Sequence, residues 1–154
     1  MVLLSHLDCD RANGLKLVSD AKQILVSEDE LRFARNHTPV NLIRYNPRWW
    51  RGTKIRPFEW NGTDGPAGRS YDIFGDGSLV MINIPGHSKG LCALKITNPD
   101  GRFVLLYSDG GYASRSWEEL ILRHRRRQVR TAQVAGMDTR AELGRKLHRV
   151  HRKP

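Results

Sequence analysis

Short apolar segments set the fold class of this chain, because their spacing changes near the middle of the sequence. Segments 2–5 and 23–26 are separated by a helical pattern, and a capping box that runs from Ser27 to Glu30 introduces a second helix. Four later strand-like segments follow one another through turns that contain Gly or Pro: 72–74, 79–84, 91–97 and 103–107. This order predicts an α+β fold, with a mixed or antiparallel sheet and helices on one outer face.

The helices and connections are predicted from local patterns. Apolar spacing favours one helix over 12–18, and a second over 31–35 that ends before Pro39. The stretch 40–68 is rich in Gly, Pro and Trp and is interpreted as an irregular connection with a short strand near 55–60. A last helix is expected at 117–123.

Composition places the chain among globular proteins, since 39% of the residues are hydrophobic and 27% are charged. No apolar run approaches the roughly 20 residues that a membrane-spanning helix needs. The first residues lack the basic segment of a signal peptide. Cys9 and Cys92 are too few for a disulfide framework, so a reducing cytoplasmic location is expected.

Positive charge is concentrated at the end of the chain. Residues 121–154 hold 11 of the 26 Lys and Arg but only 2 of the 16 Asp and Glu. The sequence therefore divides into a domain over 1–120 and a basic helix or disordered tail over 121–154. The tail gives one alternative function, nucleic-acid binding, because cationic side chains neutralise phosphates. Its best contact residues are Arg123, Arg125, Arg126 and Arg127.

The segment His6-x-Asp8-x-Asp10 lies between the first predicted strand and the first predicted helix. Alternate residues of an extended segment point the same way, so these three side chains can converge. One imidazole and two carboxylates are suitable ligands for zinc, iron or manganese. The other interpretation is a polar turn in which Asp10 caps the helix.

Two further polar sites also follow predicted strands. His87 lies in Pro85-Gly86-His87-Ser88, and Asp109 precedes Gly110 and Gly111. Loops at strand ends are where binding sites are usually built. Considered alone, His87 is equally explained as a solvated loop residue, and Asp109 as part of a tight turn. They indicate a metal site only when they are considered together with the segment that begins at His6.

As a set, these segments resemble the metallo-β-lactamase-fold hydrolases, especially the N-acyl-homoserine lactonase branch. The family pattern is a strand, His-x-His-x-Asp-His and a helix, then Pro-Gly-His-(Ser/Thr)-x-Gly, then an apolar strand ending in Asp. Here the corresponding segments begin at His6, Pro85 and Leu106. The resemblance covers about residues 2–120 and implies the second part of an αββα sandwich.

The resemblance also implies a zinc-dependent hydrolase with two metal ions. His6 and His87 would bind the first ion, Asp109 would bridge both, and Asp10 would bind the second and help to orient the nucleophile. Tyr112 stands three residues after Asp109, where lactonases have a Tyr that contacts the substrate carbonyl. The implied substrates are small lactones, esters or thioesters.

This chain departs from the family pattern at its ligands. Asp8 stands in place of the second His, and Arg11 in place of the last His of the first motif. Arg has no lone pair to offer and stays protonated, so its cation is expected to point toward the second metal position. The family's final His has candidates by position only: His124, His148 and His151.

These departures predict at most one zinc ion, held by His6, Asp8, His87 and Asp109. A zinc with four protein ligands has no open position for water, so activity is expected to be impaired or absent. The family's first strand-rich half is also missing, which is expected to expose a sheet edge for self-association or a partner chain. A non-catalytic interaction module is therefore a further alternative. A truncated or frame-shifted gene product would show the same features.

Overall fold

The computed structural model describes residues 1–36 and 38–111. Tyr112, the helix predicted at 117–123 and the basic tail with its four candidate nucleic-acid contacts lie outside these residues. No helix within the described part of the chain is long and apolar enough to cross a membrane.

The first three strands form a parallel sheet in the order β1-β2-β3. They are β1 (Val2–Leu3), β2 (Ile24–Ser27) and β3 (Ile55–Phe58). All four residues of β2 are buried, as expected for a central strand that is covered on both faces. The strand predicted near 55–60 is thus confirmed, as the third member of this sheet.

The last four strands form an antiparallel sheet in the order β4-β5-β6-β7. They are β4 (Ser70–Asp72), β5 (Leu79–Asn83), β6 (Cys92–Thr97) and β7 (Phe103–Leu106). The predicted hairpin is confirmed, but its first strand lies two residues earlier than expected. The reason is that the Asp72 carboxylate accepts backbone N–H groups of Phe74, Gly75 and Gly77, which makes 73–78 a loop.

The helices differ more from the prediction. The single helix expected over 12–18 is wrong: α1 (Cys9–Ala12) and a 3₁₀ helix (Leu15–Val18) flank Asn13 and Gly14, both poor helix formers. Asp8 caps α1, so the alternative role of Asp10 as its cap is also wrong.

Two more helices follow β2. α2 (Glu28–Ala34) begins directly at the capping box, three residues earlier than predicted. α3 (Pro39–Arg44) occupies the start of the stretch interpreted as irregular. Pro39 occupies the first turn of α3, where its missing N–H is no loss, with Thr38 as the cap. A second 3₁₀ helix (Pro47–Trp49) follows.

The core is layered, which confirms the α+β class. One cluster packs Ile24 and Val26 against helix residues such as Leu31. A second joins the two sheets through Leu25 and Phe58 of the parallel sheet and Met81 and Cys92 of the antiparallel one. Parallel and antiparallel pairs therefore occupy two stacked sheets instead of one mixed sheet, because β2 alternates its side chains between helices and the second sheet.

The close approach of Gly90 to the first turn of α2 gives a test of this packing. A Cβ atom at Gly90 would lie 2.2 Å from the Glu30 nitrogen and 2.4 Å from Ser27 Oγ. We expect Gly90→Ala to lower the free energy of unfolding by about 1–3 kcal/mol, measured in urea by tryptophan fluorescence. Gly14→Ala is the control, because no atom lies within 4 Å of its Cβ position. Equal stability of the two variants would contradict the packing.

Candidate metal centre

Three loops bring the predicted ligands to one end of the molecule. β5 and β7 both run antiparallel to β6, so His87 after β5 and Asp109 after β7 emerge at the same edge. The Cys92 N–H at the start of β6 donates to the Ser5 carbonyl at 2.9 Å. This bond places the chain after β1, with His6, at that edge too. All five predicted metal ligands therefore meet, while Tyr112 lies outside the described residues.

Among the five predicted ligands, two sets of three offer atoms that all lie within 4.8 Å of one another: His6 with Asp8 and His87, and His6 with Asp10 and Asp109. His6 Nε2 lies 3.4 Å from Asp109 Oδ2, and His87 Nε2 lies 3.8 Å from the same oxygen. His87 Nε2 is also 3.2 Å from Asp8 Oδ2. Zinc bonds of about 2.0–2.1 Å place neighbouring tetrahedral ligand atoms roughly 3.3–3.4 Å apart. The His6–Asp109 and Asp8–His87 distances are therefore those expected between neighbouring ligands of a zinc ion.

His6 supplies the most specific sign of a cation. Its side chain is fully buried, and among the described residues its Nε2 has no hydrogen-bond partner. That nitrogen faces the carboxylates of Asp10 at 3.7 Å and Asp109 at 3.4 Å. Burial lowers the pKa of His6, which favours the neutral ring. With the proton on Nδ1, the lone pair of Nε2 would face two carboxylates, an arrangement that a cation among them would stabilise, so the residues present fit a metal ion.

A serine pair fixes the orientation of that ring. His6 Nδ1 lies 3.0 Å from Ser5 Oγ, which is 2.8 Å from Ser108 Oγ. With the proton on Nδ1, His6 donates to Ser5 and keeps Nε2 as an acceptor, the arrangement that ligating histidines use. Ser108 adopts φ +48°, a left-handed conformation that a non-Gly residue rarely takes. The turn it makes directs Asp109 to the centre.

The guanidinium of Arg11 lies between Asp10 and Asp109, as expected for a cation that points toward the second metal position. One guanidinium nitrogen donates to Asp10 Oδ2 at 2.7 Å, and another donates to Asp109 Oδ1 at 2.9 Å. The guanidinium thus bridges the two carboxylates assigned to the second metal ion. Their negative charge is already compensated by a cation that is covalently part of the chain.

Arg44 is a site residue that sequence reasoning missed. Its Nε donates to Asp8 Oδ2 at 2.8 Å, its Nη2 contacts the same oxygen, and Nη2 lies 2.7 Å from His87 Nε2. Burial opposes ionisation of Asp8, but hydrogen bonds from Arg44 and from the Cys9 N–H outweigh it and lower the pKa of this carboxyl. The available signal was Thr38-Pro39, a helix start that would have placed Arg44 on a helix instead of in an irregular connection.

Glu30 holds the two principal loops together. The carboxylate is fully buried and accepts from the Leu7 N–H at 2.9 Å, Ser88 Oγ at 2.6 Å and the Gly90 N–H at 3.2 Å. The capping box is half confirmed: Ser27 Oγ accepts from the Glu30 N–H, but the Glu30 side chain turns to the loops instead of back to Ser27. Burial raises the pKa of Glu30, and its three donors oppose that rise.

Curated relatives of the chain include lactonases and a lactamase. The chain is 29% identical over 128 residues to the N-acyl homoserine lactonase AttM of Rhizobium radiobacter, a match that covers 79% of this chain and 44% of that protein. It is 36% identical over 69 residues to the gamma-lactamase FDB1 of Fusarium pseudograminearum, covering 42% of this chain and 17% of that protein. No family model matches the chain.

The solved structures give the fold. An N-acyl homoserine lactone hydrolase, with the product N-hexanoyl-L-homoserine at its catalytic metal centre, superposes with a TM-score of 0.58 at 19% identity. The match covers 96% of this chain and 50% of that one. AiiA of B. thuringiensis, with N-decanoyl-L-homoserine in its active site, matches with the same TM-score.

The chain therefore has part of a metallo-β-lactamase-type fold. Within that class it is similar to the N-acyl homoserine lactonases, as its three motifs predicted. The chain spans about half the length of the curated relatives and solved structures that it matches.

The role of Glu30 can be tested without touching a candidate ligand. The Glu30→Gln substitution replaces one carboxylate oxygen by an amide N–H₂ group. This group would face a backbone N–H or hydroxyl group that now donates a hydrogen bond to the carboxylate. We expect the free energy of unfolding to fall by about 1–3 kcal/mol in urea.

Glu28→Gln is the matched control for that change, since Glu28 lies on the same helix and, within the described part of the chain, is paired with Arg32 alone, at 3.5 Å. We expect it to change stability by less than about 0.5 kcal/mol. A Glu30→Gln variant as stable as this control would show that the buried carboxylate does not tie the loops.

Proposed function

We propose that residues 1–120 carry the metal-binding part of a zinc-dependent hydrolase that acts on small lactones, esters or thioesters. The observation that carries the proposal is the buried His6 Nε2, which lacks a hydrogen-bond partner in the described region and faces two carboxylates. The relatives named as lactonases and a lactamase support a cyclic acyl substrate. We place the protein in the cytoplasm.

We assign His6, Asp8, His87 and Asp109 as the ligands of one zinc ion. When bound, such an ion would polarise a carbonyl and, where one protein ligand gives way to a water molecule, would lower the pKa of that water. The chain's own residues have separate tasks: Ser5 orients His6, Glu30 holds the His6 and His87 loops together, and Asp109 is positioned by Ser108.

Asp10 and Tyr112 are assigned as catalytic residues. Asp10 would help to orient the nucleophilic water, and Tyr112 would contact the substrate carbonyl. In the structure, Asp10 Oδ2 is paired with Arg11, which leaves Oδ1 facing His6. With one carboxylate oxygen engaged and four protein ligands around zinc, we expect slower hydrolysis than a two-metal site supports.

Metal analysis tests the ligand assignment. We expect purified protein to bind at most one equivalent of zinc, because Arg11 compensates the carboxylates that a second ion would need. His87→Ala should weaken zinc binding by at least about tenfold, measured by competition with a chromophoric chelator. Lys89→Ala, an exposed change in the same loop, is the control and should bind as the wild type does. Two equivalents of zinc per chain would contradict the assignment.

Hydrolysis of a chromogenic lactone tests the activity. We expect turnover to disappear with a chelator, to return with added zinc, and to be absent in His87→Ala. Lys89→Ala should retain it, which would exclude a general effect of altering the loop. Turnover that survives both the chelator and His87→Ala would contradict a metal-dependent reaction, and wild-type protein that binds zinc without turnover would contradict the hydrolase assignment alone.

A further inference from the structure

We propose that Arg44 is a built-in competitor of the metal ion, whose guanidinium binds the coordinating atoms of Asp8 and His87 in place of the ion. This inference rests on the proposed zinc site and adds a residue that controls its loading.

The competition follows from the atoms that Arg44 contacts. Its Nη2 lies 2.7 Å from His87 Nε2, the nitrogen assigned to zinc. A neutral imidazole nitrogen has one lone pair, so it cannot accept a guanidinium N–H and bind a metal at once. Nε and Nη2 of Arg44 also both donate to Asp8 Oδ2, the carboxylate oxygen nearest to His87. Two of the four ligands are therefore engaged whenever Arg44 is docked.

Charge explains why the guanidinium docks there. Asp8 is nearly buried, and a buried carboxylate requires a compensating cation. Arg11 already serves Asp10 and Asp109. Arg44 is the corresponding cation for Asp8, so each carboxylate of the centre is paired within the described residues.

The Arg44 side chain is also accessible to solvent. About a third of the Arg44 side chain is exposed, against 9% of the Asp8 side chain. Arg44 is the last residue of α3, which is held to the core by Asn41, whose Nδ2 donates to the Phe33 carbonyl, and by buried Tyr45. Rotation of the side chain into solvent therefore exposes Asp8 and His87 without moving the backbone.

Apparent zinc affinity then equals the intrinsic affinity multiplied by the fraction of molecules in which Arg44 is undocked. Arg44→Met keeps the apolar stem and removes every donor. We expect it to bind zinc at least about tenfold more tightly than the wild type, as measured on the full chain by competition with a chromophoric chelator. Arg48→Met, a change of an exposed residue in the following turn, is the matched control and should bind as the wild type does.

Thermal unfolding provides a readout independent of affinity and activity. With chelator present, Arg44→Met should melt below the wild type, because Asp8 loses its counter-ion. With zinc present, its melting temperature should rise by more than that of the wild type. If this variant does not fold, Arg44→Lys keeps the charge but lacks the fork that reaches Asp8 and His87 together, and it too should bind zinc more tightly than the wild type.

The outcomes separate the inference from the proposed function. If the wild type and the Arg44 variants bind zinc with equal affinity, the competition is overturned while the zinc site stands. If no protein binds zinc, both are overturned. If only the Arg44 variants bind, or bind more tightly than wild type and Arg48→Met, the competition is supported.

Discussion

The site depends on one buried carboxylate. Glu30 lies on α2 and is not a candidate ligand. Its carboxylate nevertheless accepts hydrogen bonds from Leu7, in the loop that holds His6, and from Ser88 and Gly90, in the loop that holds His87. A buried carboxylate is stable only when hydrogen-bond donors surround it. The Glu30 carboxylate therefore fixes the positions of both loops relative to α2. Ser27, at the start of the same helix, adds a hydrogen bond to the Gly90 carbonyl. The spacing between two histidines from distant parts of the chain is thereby set by the first turn of a helix.

A second constraint is electrostatic. Three carboxylates and two imidazoles meet at one edge of the stacked sheets, and two guanidiniums from different elements lie among them. Each guanidinium contacts carboxylate oxygens, and Arg44 also contacts an imidazole nitrogen. His6 is the exception, because within the described residues its Nε2 has no hydrogen-bond partner and neither arginine donates to it. The centre therefore combines the ligands of a metal site with cations supplied by the chain, which distinguishes it from a site that relies on bound ions alone.

Much of this was predictable from sequence, because strands and turns leave local signals. The apolar segment at 24–26, the Asp-Gly turn near 76 and the Pro-Gly-His loop each fixed an element or a motif. The family resemblance implied two stacked sheets, but the apolar patterns alone did not, because the division depends on which face of β2 meets which layer. The positions of Glu30 and Arg44 were missed for a related reason. A capping Glu and an Arg in a Pro-rich stretch become site residues only through contacts with loops 23 to 60 residues away. The contact between Arg11 and Asp10 was predictable because the two residues are adjacent in sequence. The contact between Arg11 and Asp109, which are 98 residues apart, agrees with the expectation drawn from the family pattern.

The bridge that Arg11 makes between Asp10 and Asp109 bears on how the protein matures. In many small metalloproteins, carboxylates gather only when an ion arrives, so folding waits on the supply of metal. Here the positive charge belongs to the same loop as Asp10 and reaches Asp109 as soon as β7 is in place. The loops can therefore close before the proposed zinc ion binds, so the folding of this centre would not wait on the supply of metal.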